Sequence, residues 1–206
     1  MMKVALVTAS SAGLGAAIAK TLAVAGMRIV INFSSNAERA NKVVAEMEAV
    51  VEKTPGSASE PRFAIIRADL GKKSDIQRLV AEAVAKMGHL DVVVSNGGWT
   101  RIRDFNDLDD NSDEEDWDKC FDINVKSHLW LLQASRKYLE SNHGSFTTIA
   151  SVAGVKPSGS SIVRSTLLNT MARLIYFTEL RGSFTDVAFY SRTLSPRQLR
   201  FTWSSV

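Results

Sequence analysis

A doubly wound α/β fold, with a parallel sheet between two layers of helices, is the architecture that this sequence predicts. Short apolar segments alternate with amphipathic segments of about twelve residues or more, which is the pattern of strands joined by helices. The strand candidates are apolar on both faces, as expected for a parallel sheet that is covered on both sides. A small, glycine-containing segment follows the first strand, where such folds bind phosphate groups.

The elements can be assigned in chain order. The predicted strands are Lys3–Thr8, Arg28–Phe33, Arg62–Ala68, Leu90–Ser95 and Ser145–Ala150. The predicted helices are Ala16–Ala25, Asn36–Lys53, Ser74–Met87 and a long helix from Asp113 to about Leu139. Asn36 and Ser74 are the expected N-caps, and Gly26 is the expected C-terminal cap. After Ser151 the pattern weakens, and a helix within 160–180 and a strand within 185–190 remain open.

The composition indicates one ordinary domain and excludes several classes of protein. The 206 residues are 45% apolar and 23% charged, and the single cysteine cannot form an internal disulfide. No run of about 18 apolar residues is present, so no membrane span is expected. Clustered Lys and Arg with a binding motif are lacking, so nucleic acid is not an expected partner. The start reads as a strand rather than a signal peptide, so we expect a cytoplasmic protein.

The charge is distributed unevenly along the chain. Residues 1–163 hold 19 Lys and Arg against 20 Asp and Glu, a net of −1. Residues 164–206 hold 6 Arg, no Lys and 2 acids, a net of +4. We interpret this as a change in sequence character near residue 163. The chain is therefore divided into one domain over 1–163 and a divergent or truncated segment over 164–206, which is not an independent domain.

The segment from Thr8 to Gly15 (TASSAGLG) has the composition of a phosphate-binding turn. Small residues let the backbone approach a pyrophosphate, and the N-terminus of the following helix supplies free N–H groups and the positive end of its dipole. A tight turn between strand and helix that serves packing alone is the alternative reading.

This segment resembles the Thr-Gly-x-x-x-Gly-x-Gly turn of the short-chain dehydrogenases/reductases, with Ala9 in place of the first glycine. Further family positions follow in order, and the resemblance covers about residues 1–163. They are Asp69-Leu70 after the third strand, Ser95-Asn96-Gly97-Gly98 after the fourth, Asn124 in the fourth helix and Ser151 after the fifth strand. The segments 95–101 and 151–161 are most similar to reductases of filamentous fungi. The resemblance implies a Rossmann-type doubly wound sheet with strand order 3-2-1-4-5.

The resemblance also implies a nicotinamide dinucleotide at the carboxyl ends of the strands. The candidate cofactor-binding residues are Thr8, Ser10, Ser11, Gly13, Leu14, Gly15, Asn32, Ser34, Ser35, Asp69, Leu70, Asn96, Gly97 and Gly98. No acid stands at the end of the second strand to accept bonds from a ribose 2′-hydroxyl, while Ser34 and Ser35 can donate to a phosphate. NADP(H) is therefore favoured over NAD(H). Capping of the second helix by Ser34–Asn36 is an alternative role that is compatible with phosphate binding.

The resemblance assigns Ser151 and Asn124 to catalysis but leaves the site incomplete. In the family, Ser holds the substrate carbonyl, Tyr exchanges the proton, Lys lowers the pKa of Tyr, and Asn helps to relay the proton. The positions expected for Tyr and Lys are occupied by Arg164 and Leu168. Arginine stays protonated and cannot act as the acid. On the helix that 160–180 could form, Tyr176 would be about 18 Å further along, too far to substitute unless that helix starts later. Tyr190 has Leu194, not Lys, four residues on.

The sequence beyond residue 163 lacks the family's last strands and its substrate lid. We therefore expect the sheet to be incomplete or improvised beyond the fifth strand, where an uncovered edge would invite association. A shifted reading frame, a misjudged intron or a truncated gene would each give such a junction. The family often dimerises through its fourth and fifth helices, and because the fifth is altered here, a homo-oligomer remains open.

Other chemistry-bearing residues are interpreted as structural. The acidic run Asp107–Asp118 is expected to be a solvated loop leading into the fourth helix, stabilised by the helix dipole. The three histidines, including His128, share no ligand spacing and are expected at the surface or at helix ends. Cys120 is expected to be a packed thiol, and no metal site is predicted. Trp99 either packs or contacts the nicotinamide side of the pocket.

Two functions remain open. The first is an NADP(H)-dependent oxidoreductase acting on a ketone or secondary alcohol of a small molecule, with a role in secondary metabolism. The second is a catalytically inactive nucleotide-binding remnant, either a pseudoenzyme or the product of a faulty gene model. The absence of the Tyr and Lys pair favours the second, and the ordered family motifs favour the first.

Overall fold

The computed structural model describes residues 1–51, 61–151, 161–163 and 187–189. They form a parallel six-stranded sheet in the order β3-β2-β1-β4-β5-β6, which confirms the predicted order 3-2-1-4-5. The strands are β1 (Val4–Val7), β2 (Arg28–Phe33), β3 (Phe63–Arg67), β4 (Val92–Ser95), β5 (Ser145–Ala150) and β6 (Val187–Phe189). The order reverses between β1 and β4, so the carboxyl ends of these two strands open toward a crevice on that edge of the sheet.

The helices lie where the sequence predicts them, with one interruption. They are α1 (Gly13–Val24), α2 (Ala37–Val50), α3 (Lys73–Met87), α4 (Glu114–Phe121) and α5 (Ser127–Ser141). The predicted long helix is divided into α4 and α5 by a π-helical segment, Asp122–Lys126. The segment widens one turn and contains Asn124. Such π-helical insertions occur frequently at functional sites.

Two apolar layers hold the helices against the sheet. On one face, Val7, Ile29 and Ile31 are buried with residues of α1 and α2 such as Ala19 and Met47. On the other face, the strands pack against α3 and α5 through residues of the second cluster. That cluster includes Leu6, Val30, Ile76, Leu79, Leu131 and Leu139. Because β1 and β2 are buried on both faces, their runs of apolar residues are explained by a covered parallel sheet.

The two predicted N-caps have different outcomes. Asn36 caps α2 as predicted, since its side chain accepts a 2.8 Å hydrogen bond from the N–H of Arg39. The prediction for Ser74 is wrong, because α3 begins at Lys73 and its N-cap is Lys72. The carbonyl of Lys72 already accepts the helical N–H of Ile76 at 3.1 Å, so the first turn forms before Ser74 is reached.

The expectation of an incomplete or improvised sheet beyond the fifth strand is confirmed, because among the described residues only the short β6 lies beyond β5. Its three residues pair in parallel with the second half of β5, from Thr148 to Ala150. β6 lies within the segment 185–190 that the sequence left open as a strand. Most of 164–206, including Arg164, Leu168 and Tyr176, lies outside the described residues.

Candidate active site

Hydrogen bonds of Thr8 join the turn between β1 and α1 to the turn after β4. The hydroxyl of Thr8 is buried and accepts hydrogen bonds from the N–H groups of Asn96 (2.9 Å) and Gly97 (3.2 Å). The side-chain amide of Asn96 donates in return to the carbonyl of Thr8 at 3.0 Å. These bonds join the two strand ends at which the order of the sheet reverses. Thr8 therefore shapes the crevice rather than facing it.

Hydrogen bonds of Asn32, a residue that is 1% exposed, join the same turn to β2. Its Oδ1 accepts the N–H of Ala9 at 2.9 Å, and its Nδ2 donates to the carbonyl of Ala68 at 3.2 Å. The hydroxyl of Ser10 donates to the carbonyl of Val7 (2.6 Å) and accepts the N–H of Asn32 (3.1 Å). The side chains of Asn32 and Ser10 are thus engaged within the protein and determine the course of the turn.

The N-terminus of α1 is left open toward the crevice. Its N-cap, Ala12, has an extended backbone and no side-chain cap bond, and no acid lies in the first turn. Gly13 is exposed with φ +57, and nothing lies within 4 Å of the place that a Cβ would occupy. Ser11 and Leu14 are half-buried beside it. Backbone N–H groups and the positive helix end are therefore available to an anion such as a pyrophosphate.

Gly15 brings α1 close to the turn. A Cβ at Gly15 would lie 2.5 Å from the carbonyl oxygen of Ala9 and 2.6 Å from Nδ2 of Asn96. Any side chain at this position would therefore displace backbone. The open space at Gly13 and the close packing at Gly15 together fit the pyrophosphate of a dinucleotide, which needs a backbone that it can approach closely.

The carboxyl ends of β2 and β3 form the neighbouring part of the crevice. Ser34 and Ser35 are exposed, and Nε of Arg67 donates to the carbonyl of Ser34 at 3.0 Å. Asp69 is exposed, and its carboxylate accepts the N–H of Gly71 at 3.0 Å. A Cβ at Gly97 would lie 2.2 Å from Cδ1 of Leu70, so the side chain of Leu70 would have to shift to admit a larger residue there.

Asn124 is held by two hydrogen bonds to the peptide groups of Trp99. Its Oδ1 accepts the N–H of Trp99 at 2.7 Å, and its Nδ2 donates to the carbonyl of Trp99 at 2.8 Å. Nδ2 also lies 2.8 Å from Sγ of the buried Cys120, and Gly98 packs against Oδ1. The side chain of Asn124 therefore positions the segment that follows β4. The prediction that Cys120 is a packed thiol is confirmed.

Ser151 follows β5 directly and is half-buried at the same edge of the sheet. The structure therefore places the predicted residues of β1, β2, β3, β4 and β5 at the carboxyl ends of their strands. Arg164 and Leu168, which occupy the positions of the family's Tyr and Lys, lie outside the described residues.

One buried pair near the site escaped the sequence analysis. Nδ1 of His128 lies 2.6 Å from Oγ of Ser95, and both residues are buried. Burial lowers the pKa of His128 to about 4, so the imidazole is neutral at physiological pH. The expectation of a surface or helix-end position for His128 is wrong, because residue 128 faces the sheet on α5. The position of this histidine among the apolar residues of α5 is the sequence signal that could have indicated its burial.

The acidic run 107–118 is only in part a solvated loop. Asp116 is buried and pairs with Arg101 at 3.0 Å and with Arg103 at 2.8 Å. Arg103 also binds Asp110 and Asp113, which ties the loop before α4 into one network. Burial of a carboxylate is costly unless it is paired, and the two arginines supply that pairing. Spacing along the sequence did not reveal this pairing because the two arginines precede the run.

Comparisons with known proteins agree with this geometry. The family model described as short chain dehydrogenase matches residues 3–166, and the chain belongs to that family. A relative from Streptomyces violaceoruber, named as a ketoacyl reductase of the granaticin polyketide synthase, is 36% identical over 160 residues, which are 77% of this chain and 59% of the relative. A hydroxynaphthalene reductase-like protein from Metarhizium guizhouense is 37% identical over 151 residues, 73% of this chain and 51% of that protein.

Solved structures support the same assignment. A short-chain dehydrogenase from Burkholderia cenocepacia in complex with NADP is 31% identical, with a TM-score of 0.72 over 86% of this chain and 66% of that one. The chain spans between 47% and 63% of the length of curated relatives that it matches. Within the described ranges, no helix is both long and apolar enough to cross a membrane.

Proposed function

We propose that this protein is an NADP(H)-dependent oxidoreductase that interconverts a ketone and a secondary alcohol on a small molecule. The observation that carries the proposal is the uncapped N-terminus of α1 beside Gly13, at the edge where β1 and β4 diverge. An anionic group is the natural occupant of such a position. Membership of the short-chain dehydrogenase family supports a nicotinamide dinucleotide as that occupant.

The residues fall into two groups with respect to the cofactor. Thr8, Ser10 and Asn32 are buried and shape the turn. The residues proposed to contact the dinucleotide are Ser11, Gly13, Leu14, Gly15, Ser34, Ser35, Asp69, Leu70, Asn96, Gly97 and Gly98. When bound, the nicotinamide supplies or accepts the hydride. The protein residues hold its phosphates and orient the ring.

The preference for NADP(H) is argued from the end of β2. Asn32 at that strand end is uncharged and engaged within the protein, and the next residues, Ser34 and Ser35, are exposed hydroxyls. An acid is the usual acceptor for a free ribose 2′-hydroxyl, and it would repel a 2′-phosphate. Asn36 satisfies the first N–H groups of α2, so capping and phosphate binding are performed by different residues.

The substrate is proposed from the names of relatives. Two of them are named as a ketoacyl reductase of a polyketide synthase and as a hydroxynaphthalene reductase-like protein. We therefore propose a polyketide-derived ketone and a role in secondary metabolism. Ser151 is proposed to hold the substrate carbonyl, and Asn124 to position the segment around Trp99. A cytoplasmic location and a homo-oligomer remain predictions.

A second candidate function is dinucleotide binding without catalysis. It is favoured by Arg164 and Leu168, which stand where the family places its proton donor and the lysine beside it. Arginine is not deprotonated at physiological pH, so it cannot replace the tyrosine. In this reading the crevice still holds NADP(H), and the hydride is not transferred.

Oxidation of NADPH by the 206-residue chain with a panel of aromatic and polyketide-like ketones separates the two. The first function predicts turnover that Ser151→Ala abolishes, whereas NADPH affinity stays within about twofold because this residue faces the substrate. The second predicts binding of NADPH with no turnover for any ketone. Ser145→Ala, at the far end of β5 from the crevice, is the matched control and should leave turnover unchanged.

A further inference from the structure

Arg67, the last residue of β3, reaches across to the end of β2. It pairs with Phe33 in the register of the two strands, one residue before Ser34. Its Nε donates to the carbonyl of Ser34 at 3.0 Å, and its own carbonyl accepts Nη2 of Arg78 at 2.8 Å. The guanidinium is thus fixed beside the two exposed serines by a bond to the backbone.

The fixed guanidinium keeps its two terminal nitrogens available. Among the described residues, neither Nη1 nor Nη2 of Arg67 has a hydrogen-bond acceptor, and no carboxylate forms an ion pair with it. The neighbouring Arg78 differs, because it binds Glu82 at 2.9 Å and Asp75 at 3.5 Å. A guanidinium held at Nε presents a planar pair of donors, which matches two oxygens of a phosphate.

The charges around Arg67 are mixed. Arg39 is exposed in the first turns of α2, and Ser34 and Ser35 add hydroxyl donors. Two carboxylates, Glu38 and Asp69, are exposed at the same edge. The carboxylate of Asp69 accepts the N–H of Gly71.

We infer that Arg67 is the specificity-determining residue of this crevice, and that its two free donors bind the 2′-phosphate of NADP(H). The inference rests on the proposed function. It adds that the cation that binds the 2′-phosphate comes from the end of β3 rather than from the segment after β2. Through Nε, the same side chain also binds the carbonyl of Ser34. Loss of Arg67 should therefore weaken NADPH and leave NADH nearly unchanged.

The test is calorimetric titration of NADPH, NADH and 2′,5′-ADP into the wild-type chain and three variants at one ionic strength. Arg67→Gln removes the charged pair of donors, Arg67→Lys keeps the charge without the planar pair, and Lys42→Gln removes an exposed cation of α2 that does not contact Arg67. We expect Arg67→Gln to weaken NADPH and 2′,5′-ADP about tenfold or more, since charged hydrogen bonds are lost. NADH should change less than about twofold. The NADPH affinity of Arg67→Lys should lie between those of the wild type and Arg67→Gln, and Lys42→Gln should match the wild type.

Each other outcome identifies what has failed. If wild type prefers NADPH and Arg67→Gln does not alter that preference, the role of Arg67 is overturned and the proposed function stands. If Lys42→Gln loses as much NADPH affinity as Arg67→Gln, general electrostatic attraction explains the effect and the role of Arg67 is again overturned. If wild type binds neither dinucleotide, the proposed function itself is wrong. Because Arg67 is exposed, the variants should keep the wild-type circular dichroism, and Arg67→Lys gives a second comparison should Arg67→Gln unfold.

Discussion

The backbone N–H of Ala9 donates to Oδ1 of Asn32 at 2.9 Å while Ala9 itself holds a left-handed conformation, with φ +48. The family resemblance has glycine at this position. An L-residue with a Cβ is strained there by about 1–2 kcal/mol. The bond to Asn32 is one of the contacts that hold the turn in this conformation.

Replacement of Ala9 by glycine should therefore stabilise the protein. The strain is removed, and part of the gain is offset by the greater flexibility of glycine in the unfolded chain. We expect an increase of about 0.5–1 kcal/mol in the free energy of unfolding, measured with urea. Ala12→Gly is the matched control, because Ala12 has an extended backbone with φ −162 and no strain to relieve. A loss of stability in Ala9→Gly equal to that in Ala12→Gly would contradict this account.

Asn32→Ala should destabilise the protein by about 2–3 kcal/mol in the absence of any ligand. The substitution leaves the buried N–H of Ala9 and the carbonyl of Ala68 without their side-chain partner, and unsatisfied buried groups are costly. Urea unfolding without cofactor measures the change. The exposed Ser35→Ala should stay within about 0.5 kcal/mol of the wild type. Equal stability of the two variants would show that Asn32 faces the crevice rather than supporting the turn.

Protonation of His128 should destabilise the protein in acid. The pKa of His128 is lowered to about 4 by burial, against 6.5 for the unfolded chain, so the unfolded state binds more protons between these values. The free energy of unfolding should have its full value above about pH 6.5. It should fall by up to about 3 kcal/mol as the pH approaches 4. The N–H of Asp69 lowers the pKa of the Asp75 carboxyl. The contribution of this carboxylate to stability is therefore lost only at still lower pH.

Urea unfolding at several pH values between 4 and 7.5 checks this dependence. In His128→Asn the slope between pH 6.5 and 5 should be reduced, even though the variant is less stable throughout. His143→Asn is the matched control, because it removes an exposed histidine and keeps a residue suited to φ +48. An unchanged slope in His128→Asn would refute the assignment to His128.

Asp116→Asn should loosen the loop that precedes α4. Arg101 and Arg103 then lose the carboxylate that both of them bind. Because Arg101 is half exposed and Arg103 keeps Asp110 and Asp113, the cost should be about 1–2 kcal/mol. Limited proteolysis after Arg101 and Arg103 should become faster, and urea unfolding should report the lower stability. The exposed neighbour Asp118→Asn should behave as the wild type does. Equal cleavage rates for both variants would exclude Asp116 as the anchor of the loop.

The elements of the fold were predictable because their signals are local. The apolar runs of β1 and β2, the cap at Asn36 and the alternation of strands and helices can be read directly from neighbouring residues. The family motifs then fixed the strand order and the edge at which the predicted site residues lie. The weak β6 strand was left open, since three residues carry too little pattern for a prediction.

The parts that were missed depend on contacts between distant positions. The pairs Ser95–His128 and Arg67–Ser34 are each separated by 33 residues in the sequence and are created by helix packing and strand register. The π-helical segment around Asn124 leaves the helical periodicity almost intact, so the sequence shows one continuous helix. The strain at Ala9 is a property of the backbone, and it becomes visible only when its dihedral angles are known.

The most direct test of the central claim is calorimetric titration of NADPH and NADH into the unmodified 206-residue chain. A dinucleotide crevice with a 2′-phosphate site predicts one NADPH bound per chain, with an affinity about tenfold or more above that for NADH. The same NADPH should raise the unfolding temperature in proportion to the logarithm of its concentration. Absence of binding, or tighter binding of NADH, would contradict the account.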